Sequence, residues 1–156
     1  RARKGEKKEV ISMIRKAVNE DINEIADIWL MSMRSAHYGF KDTYWTKQYK
    51  SIRHKYSQER SDVVVYEEGG AILGFGAYIR DAGVVRIFVI PGFQKKGIGS
   101  ALLAYFEEHY EGFLCRCYRT CAPAVSFLQN RGYTRIERRN NVDSGQEEYV
   151  FRKGEA

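Results

Sequence analysis

One continuous stretch, Val84–Tyr110, constrains the fold more than any other part of this sequence. Its first part, Val84–Ile90, is apolar except at one position and rich in β-branched residues, which predicts a buried strand that Pro91 and Gly92 end. Its second part carries apolar residues at helical spacing, namely Ile98, Ala101, Leu102 and Tyr105. The stretch therefore predicts a strand, a turn and a helix in immediate succession.

The turn and the start of the helix predict an anion-binding site. The first turn of a helix has backbone N–H groups without helical partners, and the helix dipole adds partial positive charge there. Gly97 and Gly99 leave room for a phosphate to approach the backbone, while Lys95 and Lys96 add two full charges. The spacing matches neither the phosphate loop nor the dinucleotide fingerprint, and a plain surface turn with solvated lysines shares these residues. The strand–helix context is what favours anion binding.

The pattern [Q/R]-x-x-G-x-[G/A] after a strand that ends in V-x-P resembles the acetyl-CoA signature of the GNAT superfamily of N-acetyltransferases. In this sequence it reads Val89-Ile90-Pro91-Gly92-Phe93-Gln94-Lys95-Lys96-Gly97-Ile98-Gly99. The order of elements extends the resemblance from about Met13 to Arg152. It implies an acetyl-CoA-dependent N-acetyltransferase in which a small-molecule or peptide amine attacks directly in a ternary complex.

Apolar runs and turn signals along the chain predict an α/β fold: strand, helix, helix, three strands, helix, strand, helix and two strands. The predicted strands are Met13–Val18, Asp62–Tyr66, Ile72–Ile79, Val84–Ile90, Phe113–Tyr118, Tyr133–Arg139 and Gln146–Arg152. The other predicted helices begin after a cap at Asn19, span Thr43–Tyr56 and begin near Pro123. Short glycine-containing breaks predict an antiparallel meander, and the crossover through the glycine-opened helix predicts a central parallel strand pair. We therefore expect a single GNAT-like domain with a mixed, mostly antiparallel sheet and about four helices.

Length and charge narrow the classes of function. The chain has 156 residues, the size of one domain, and a net charge of +6, of which about half lies in residues 1–12. We expect that polar extension to be disordered and residues 13–156 to form the acetyltransferase-like domain. No apolar run is long enough to span a membrane, so we expect a cytoplasmic protein. No strand alternates basic and aromatic residues in the pattern that favours base stacking, so we do not expect nucleic acid as a partner. The sequence does not decide whether the protein forms a homodimer.

The resemblance implies which residues hold acetyl-CoA. The backbone of Phe88 and Val89 would pair with the pantetheine arm where the parallel strands separate at a bulge. The pyrophosphate would be held by Gln94, Lys95, Lys96, Gly97, Ile98, Gly99 and Ser100. Cys121 and Ala124 occupy two further positions that lie beside the cofactor in the family.

Two departures from the family pattern concern catalysis. In the segment Ala124–Tyr133, Leu128 stands where the family often has a tyrosine that acts as general acid. Cys121, three residues before this segment, stands where the family usually has asparagine. The alternative function is therefore a catalytically weak or idle acyl-CoA-binding or sensing module. Tyr118 and Tyr133 are candidate replacement acids, although each is also explained as a packing aromatic.

The sequence identifies the general base and the acceptor pocket less clearly than the cofactor-binding residues. Conceivable bases are Glu20, Glu67 and Glu68, with a water chain as an equal alternative. His37 is the acceptor-side candidate, in a segment that runs to Tyr56 and is rich in aromatic residues. Acidic residues at the start of the first helix could attract an amine substrate, but the helix dipole also explains them without a function, and we prefer that explanation. They are Glu20, Asp21 and Glu24.

The cysteines favour packing over metal binding. Cys115, Cys117 and Cys121 form a C-x-C-x-x-x-C cluster that lacks a fourth ligand at a standard zinc spacing. In a strand the first two share a face. We therefore expect reduced, packed thiols and no metal site.

Overall fold

The computed structural model describes residues 13–36, 42–141 and 144–154. Within these residues seven strands form one sheet in the order β1-β2-β3-β4-β5-β7-β6. The strands are β1 Ile14–Lys16, β2 Ser61–Glu68, β3 Ala71–Ile79, β4 Val84–Val89, β5 Leu114–Tyr118, β6 Tyr133–Asn140 and β7 Glu147–Lys153. The helices are α1 Ile22–Ala36, α2 Asp42–Lys55, α3 Ile98–His109 and α4 Ala122–Asn130, with a single 3-10 turn at Asn19–Asp21. The predicted fold class is confirmed.

Every pair of neighbouring strands is antiparallel except β4 and β5. This parallel pair is short, because its register contains only Val84 opposite Leu114 and Val85 opposite Cys115. Beyond these positions the two strands part, and we call the opening between Arg86–Val89 and Arg116–Tyr118 the fork. The outer edges of the fork stay paired, β4 to β3 and β5 to β7.

The sheet is covered on both faces. One face packs against α1 and α2, where Trp29 and Trp45 meet edge to face with ring centroids 5.9 Å apart. The other face packs against α3 and α4 and contains the fully buried Leu102 and Phe106. Burial of one such side chain contributes about 1.5–3 kcal/mol, so these two layers fix the helices on the sheet.

Two glycines in β3 let α3 approach the sheet closely. A Cβ atom at Gly76 would lie 2.5 Å from Cε2 of Phe106, inside the space that the ring occupies. A Cβ atom at Gly74 would lie 2.8 Å from the backbone oxygen of Phe88 in the neighbouring strand. Since α3 begins at Ile98, this close packing sets where the start of the helix lies relative to β4.

The structure corrects two expectations. Asn19 does not cap α1, because a 3-10 turn starts after Val18, and the Asp21 carboxylate accepts the Val18 N–H at 2.8 Å. The strands of the fork also part without a bulge in β4, since the β3–β4 register is continuous from Val84 to Val89. The two strands therefore separate where the β4–β5 ladder of hydrogen bonds ends.

Two predictions fall on residues outside the described ranges: the extension 1–12 and the acceptor-side candidate His37. Among the described residues, no helix is both long and apolar enough to cross a membrane.

Candidate active site

The register of β4 decides which backbone groups face the fork. The Ile90 N–H donates to the Leu73 oxygen at 2.9 Å, which makes this a hydrogen-bonded pair of the β3–β4 ladder. Hydrogen-bonded pairs alternate along an antiparallel ladder, so the backbone groups of Phe88 point towards β3. Those of Ile87 and Val89 point towards β5. The geometry thus favours Ile87 in place of Phe88 as the partner of Val89 in binding a strand-like ligand.

Two side chains converge on the Val89 carbonyl. Ser32 Oγ in α1 and Gln94 Nε2 in the turn each donate to this oxygen at 3.3 Å. Ser32 is buried and was not among the residues predicted from the sequence, although a serine between Trp29 and Met33 on the apolar stripe of α1 was an available signal. The Val89 N–H and both backbone groups of Ile87 are then the polar groups of β4 that face the fork.

The turn before α3 has the geometry of an anion site. Gly92, Lys95 and Gly97 have φ values of 95°, 64° and 85°, and left-handed residues in a turn help to form N–H-lined concavities. The first helical bond of α3 runs from the Ala101 N–H to the Gly97 oxygen at 3.0 Å. The N–H groups of Ile98–Ser100 precede it and lack helical partners, which leaves three donors at the positive end of the helix dipole.

The two signature glycines have different roles. Gly97 caps α3 at a φ of 85°, and a Cβ atom there would meet no atom within 4 Å. Glycine is therefore required at position 97 for its backbone conformation, and the space beside the residue is open. A Cβ atom at Gly99 would instead make ordinary contacts of 3.6–3.8 Å with Phe127 and Val89. Alanine therefore fits at position 99 and is strained at position 97.

The charges around the turn suit a polyanion. Lys95 and Lys96 are exposed, and the Nζ of Lys96 lies 5.5 Å from the ring centroid of Phe93. No carboxylate within the described part of the chain forms an ion pair with either lysine. Free positive charge, three helix N–H groups and open space at Gly97 together fit a pyrophosphate.

The start of α4 lies beside the start of α3. Cys121 precedes α4 and accepts the Val125 N–H at its backbone oxygen, while Ala124 packs against the core under α3. Phe127 lies next to Gly99. The structure thus brings Cys121 and Ala124 to the end of the sheet that holds the glycine turn, and contact of either with a cofactor stays a prediction.

The tyrosine candidates lie at opposite ends of the fork. Tyr118 ends β5 at the open end, half-buried against the core under α1 and α2. Tyr133 lies opposite Lys153 in β7, whose neighbour Arg152 faces Leu114 at the closed end. Its hydroxyl donates to Glu107 Oε2 at 2.8 Å, and burial, together with Glu107, raises its pKa well above the usual range. Tyr133 is therefore held as a structural residue, away from the open fork.

Leu128 fills the position where the family often has tyrosine. Its side chain is buried in the core cluster beneath α3 and α4. No acidic group replaces it at this point of the helix.

The acidic residues considered as bases, and Asp21 beside them, either pair with Arg15 or are exposed to solvent. Arg15 donates to Asp21 at 2.8 Å and to Glu67 at 3.0 Å, and these hydrogen bonds lower the pKa of both carboxyl groups. A lowered pKa makes Glu67 a weaker base, and Asp21 is held by a partly buried ion pair rather than by the helix dipole alone. Glu20 and Glu68 are exposed.

The cysteine side chains pack as small apolar groups. Cys115 and Cys117 are buried on the α3 face of β5, and burial raises the pKa of each thiol to about 12. Thiols with such pKa values stay protonated and inert. Within residues 13–36, 42–141 and 144–154, no cluster of three potential metal ligands occurs.

A mixed sheet that opens between two parallel strands, beside a glycine-capped and lysine-flanked helix start, is the arrangement expected of a GNAT-like acetyltransferase. Comparison with known proteins agrees. Residues 59–135 match the family model of the acetyltransferase (GNAT) domain. The chain is also 30% identical over 121 residues to the peptidyl-lysine N-acetyltransferase YiaC of Escherichia coli K12, covering 78% of this chain and 82% of that one. The chain therefore belongs to the GNAT acetyltransferases and is an N-acetyltransferase.

Solved structures show the same fold at low sequence identity. The apo form of YjaB from Escherichia coli matches with a TM-score of 0.77 at 18% identity, covering 92% of this chain and 97% of YjaB. PaiA N-acetyltransferase from Thermoplasma acidophilum, solved with coenzyme A, matches with a TM-score of 0.70 at 20% identity, covering 90% and 96%.

Proposed function

We propose that this protein transfers the acetyl group of acetyl-CoA to the amine of a small molecule or peptide by direct attack in a ternary complex. The observation that carries the proposal is the position of the open fork beside the glycine turn, at the same end of the sheet. Two relatives support it: PaiA was solved with coenzyme A, and YiaC is named for peptidyl-lysine.

Two sets of residues would bind two different parts of the cofactor. The backbone of Ile87 and Val89 would pair with the pantetheine arm as an added strand. The N–H groups of Ile98–Ser100, with Lys95 and Lys96, would bind the pyrophosphate. Acetyl-CoA, when bound, supplies an activated thioester.

The transfer needs a neutral amine and a proton for the departing sulfur. Tyr118 is the proposed proton donor, because it ends β5 at the open fork whereas Leu128 is apolar and Tyr133 is bound to Glu107. A thiolate is a tolerable leaving group, so a donor of modest strength suffices. The proton lost by the amine would reach bulk water through the open end.

The first test is thermal unfolding with acetyl-CoA, against CoA, ATP and NAD. At a hundredfold excess over the dissociation constant, a ligand stabilises a protein by about 2.7 kcal/mol, which is a shift of roughly 5–10 °C for a chain of this size. A shift specific to the two CoA compounds is expected. An equal shift with every phosphate ligand, or none, would contradict cofactor binding.

The second test is release of CoA thiol with a panel of amines and lysine peptides. The Tyr118→Phe variant should lower turnover by about 10²-fold or more while the CoA thermal shift is unchanged. The matched control, Tyr133→Phe, should keep its turnover. A thermal shift without thiol release from any amine would favour the idle acyl-CoA-binding module instead.

A further inference from the structure

The α1/α2 face of the fork carries a pair of arginines. Arg86 and Arg116 directly follow Val85 and Cys115, the last paired residues of β4 and β5. Side chains alternate along a strand, so both arginines share the face of Val84 and Leu114, which is the face that α1 and α2 cover. Two positive charges thus lie at the base of the opening.

Among the described residues, one nearby carboxylate, that of Glu148, balances part of this charge. Within the described residues Arg86 forms no ion pair, and its guanidinium carbon lies 5.3 Å from the ring centroid of Phe88. Arg116 Nη1 lies 3.9 Å from Glu148 Oε1, too far for a hydrogen bond. The same Glu148 oxygen is closer to Arg139, whose Nε lies 3.2 Å away. Arg116 and Arg139 therefore share one carboxylate, and Arg86 has no ion-pair partner among the described residues.

Three buried polar atoms at this place lack hydrogen-bond partners in the described part of the chain. They are two donors, Nε of Arg116 and the hydroxyl of Tyr56, a residue that is only 2% exposed, and one acceptor, Oε1 of Glu148. The Tyr56 ring meets those of Phe75 and Phe88 edge to face at 5.3 and 6.1 Å. The positive charges of Arg86 and Arg116 act on this hydroxyl and partly offset the rise in its pKa caused by burial. Donors left without acceptors beside excess positive charge point to an anionic ligand.

We propose that Arg86, Arg116 and Tyr56 bind a carboxylate of the acceptor, so that the preferred substrate is an amine that also carries a carboxylate group. A planar guanidinium matches a carboxylate with two parallel hydrogen bonds, and both arginine side chains lie at the edge of the fork. This inference rests on the proposed acetyl transfer, because Arg86 adjoins Ile87 in the strand that would hold the cofactor. The carboxylate has two possible sources, a free amino acid or an acidic residue beside lysine in a peptide.

The test compares acids with their amides. Calorimetry on the CoA-saturated and CoA-free protein would measure binding of N-acetylglycine against its primary amide. Calorimetry would also compare binding of an acetyl-lysine peptide that has glutamate beside the lysine with binding of the same peptide with glutamine there. One of the two acids should bind at least about tenfold more tightly than its amide, which identifies the source. With acetyl-CoA, the same preference should appear in kcat/KM for the corresponding free amines.

Arg86→Gln should reduce the acid-to-amide ratio to near one without changing binding of the amide, and Arg86→Lys should keep part of it. The Arg86→Gln variant is expected to fold because Arg86 forms no ion pair with any of the described residues. The matched control is Arg152→Gln, an exposed arginine on the same face at the closed end of the fork, which should retain the ratio.

Three results would overturn the inference: equal affinity of wild type for acid and amide, binding of neither, or equal loss of both in Arg86→Gln. Failure of acetyl transfer has a separate signature, which is the absence of thiol release from every amine, whether or not CoA shifts the thermal unfolding. Carboxylate binding to the CoA-free protein does not depend on that outcome.

Discussion

The proposed cofactor site and the arginine cluster are built in opposite ways. The proposed cofactor site, called the cofactor region below, is the continuous segment Gly92–Ser100, whose candidate binding groups are backbone N–H groups held by apolar packing of α3. The arginine cluster consists of side chains from β4, β5, β7 and the residue that follows α2: Arg86, Arg116, Glu148 and Tyr56. The first tolerates many side chains and requires a backbone shape, whereas the second requires particular side chains that the sheet register brings together.

The largest expected effect concerns the packing that holds the cofactor region. Phe106→Ala removes a fully buried ring beneath Gly76 and should lower the free energy of unfolding by about 3–5 kcal/mol, with loss of CoA binding at moderate temperature. Urea unfolding measures the first and titration with CoA the second. Its control is the half-buried neighbour Tyr105→Ala, which should cost far less. Equal costs would show that α3 is not anchored through Phe106.

The arginine cluster should respond to charge rather than to volume. Glu148→Gln keeps the shape but leaves the guanidinium groups of Arg116 and Arg139 without their shared carboxylate. Unfolding in urea at pH 7 should show a loss of roughly 2 kcal/mol, reduced from the full buried-pair value because Arg139 is partly exposed.

The adjacent Glu147 provides the matched control for Glu148. Its carboxylate is about a third exposed and pairs with Arg119 and Arg138, so Glu147→Gln should change stability by less than about 1 kcal/mol. If the two variants were equally stable, the cluster would be no more than a solvated surface network.

The glycine pair tests whether backbone shape defines the cofactor region. Gly97→Ala forces a side chain into the left-handed conformation, at a cost of about 1–2 kcal/mol, and should weaken CoA binding by about tenfold. Gly99→Ala makes only ordinary contacts and should change both quantities little. Thermal unfolding and CoA titration of the two variants would decide, and the reverse order of effects would contradict this geometry.

The smallest expected effect lies where α1 joins the sheet. Asp21→Asn loses the charge that pairs with Arg15 and should destabilise by about 1 kcal/mol at pH 7, a modest value because Arg15 is about a third exposed. The pKa of Asp21 is lowered in the folded protein, so this stabilisation is fully present above the ordinary carboxyl range, near pH 4. It is lost as the pH falls below that range. The difference between wild type and variant should therefore disappear in acid, as pH-dependent unfolding would show.

The order of strands and helices, the parallel pair and the glycine turn were all readable from the sequence. Each depends on local patterns: β-branched runs, helical spacing and turn residues. Leu128 and Cys121 were also visible as departures from a family pattern. The sequence did not assign a role to Tyr133, because a tyrosine at the start of a strand looks the same whether its hydroxyl meets Glu107 or a ligand.

Tertiary structure alone decided which groups face the fork. The choice of Ile87 over Phe88 follows from the β3–β4 register, and a shift of one residue would exchange them. The sequence shows Gly74 and Gly76 only as glycines in a strand, while packing shows that Phe106 and the Phe88 carbonyl occupy the space beside them. The cluster of Arg86, Arg116 and Tyr56 joins residues distant in the chain. Local patterns determine elements because their physics acts between near neighbours, whereas a site made of distant side chains exists only after the register and the packing have fixed its distances.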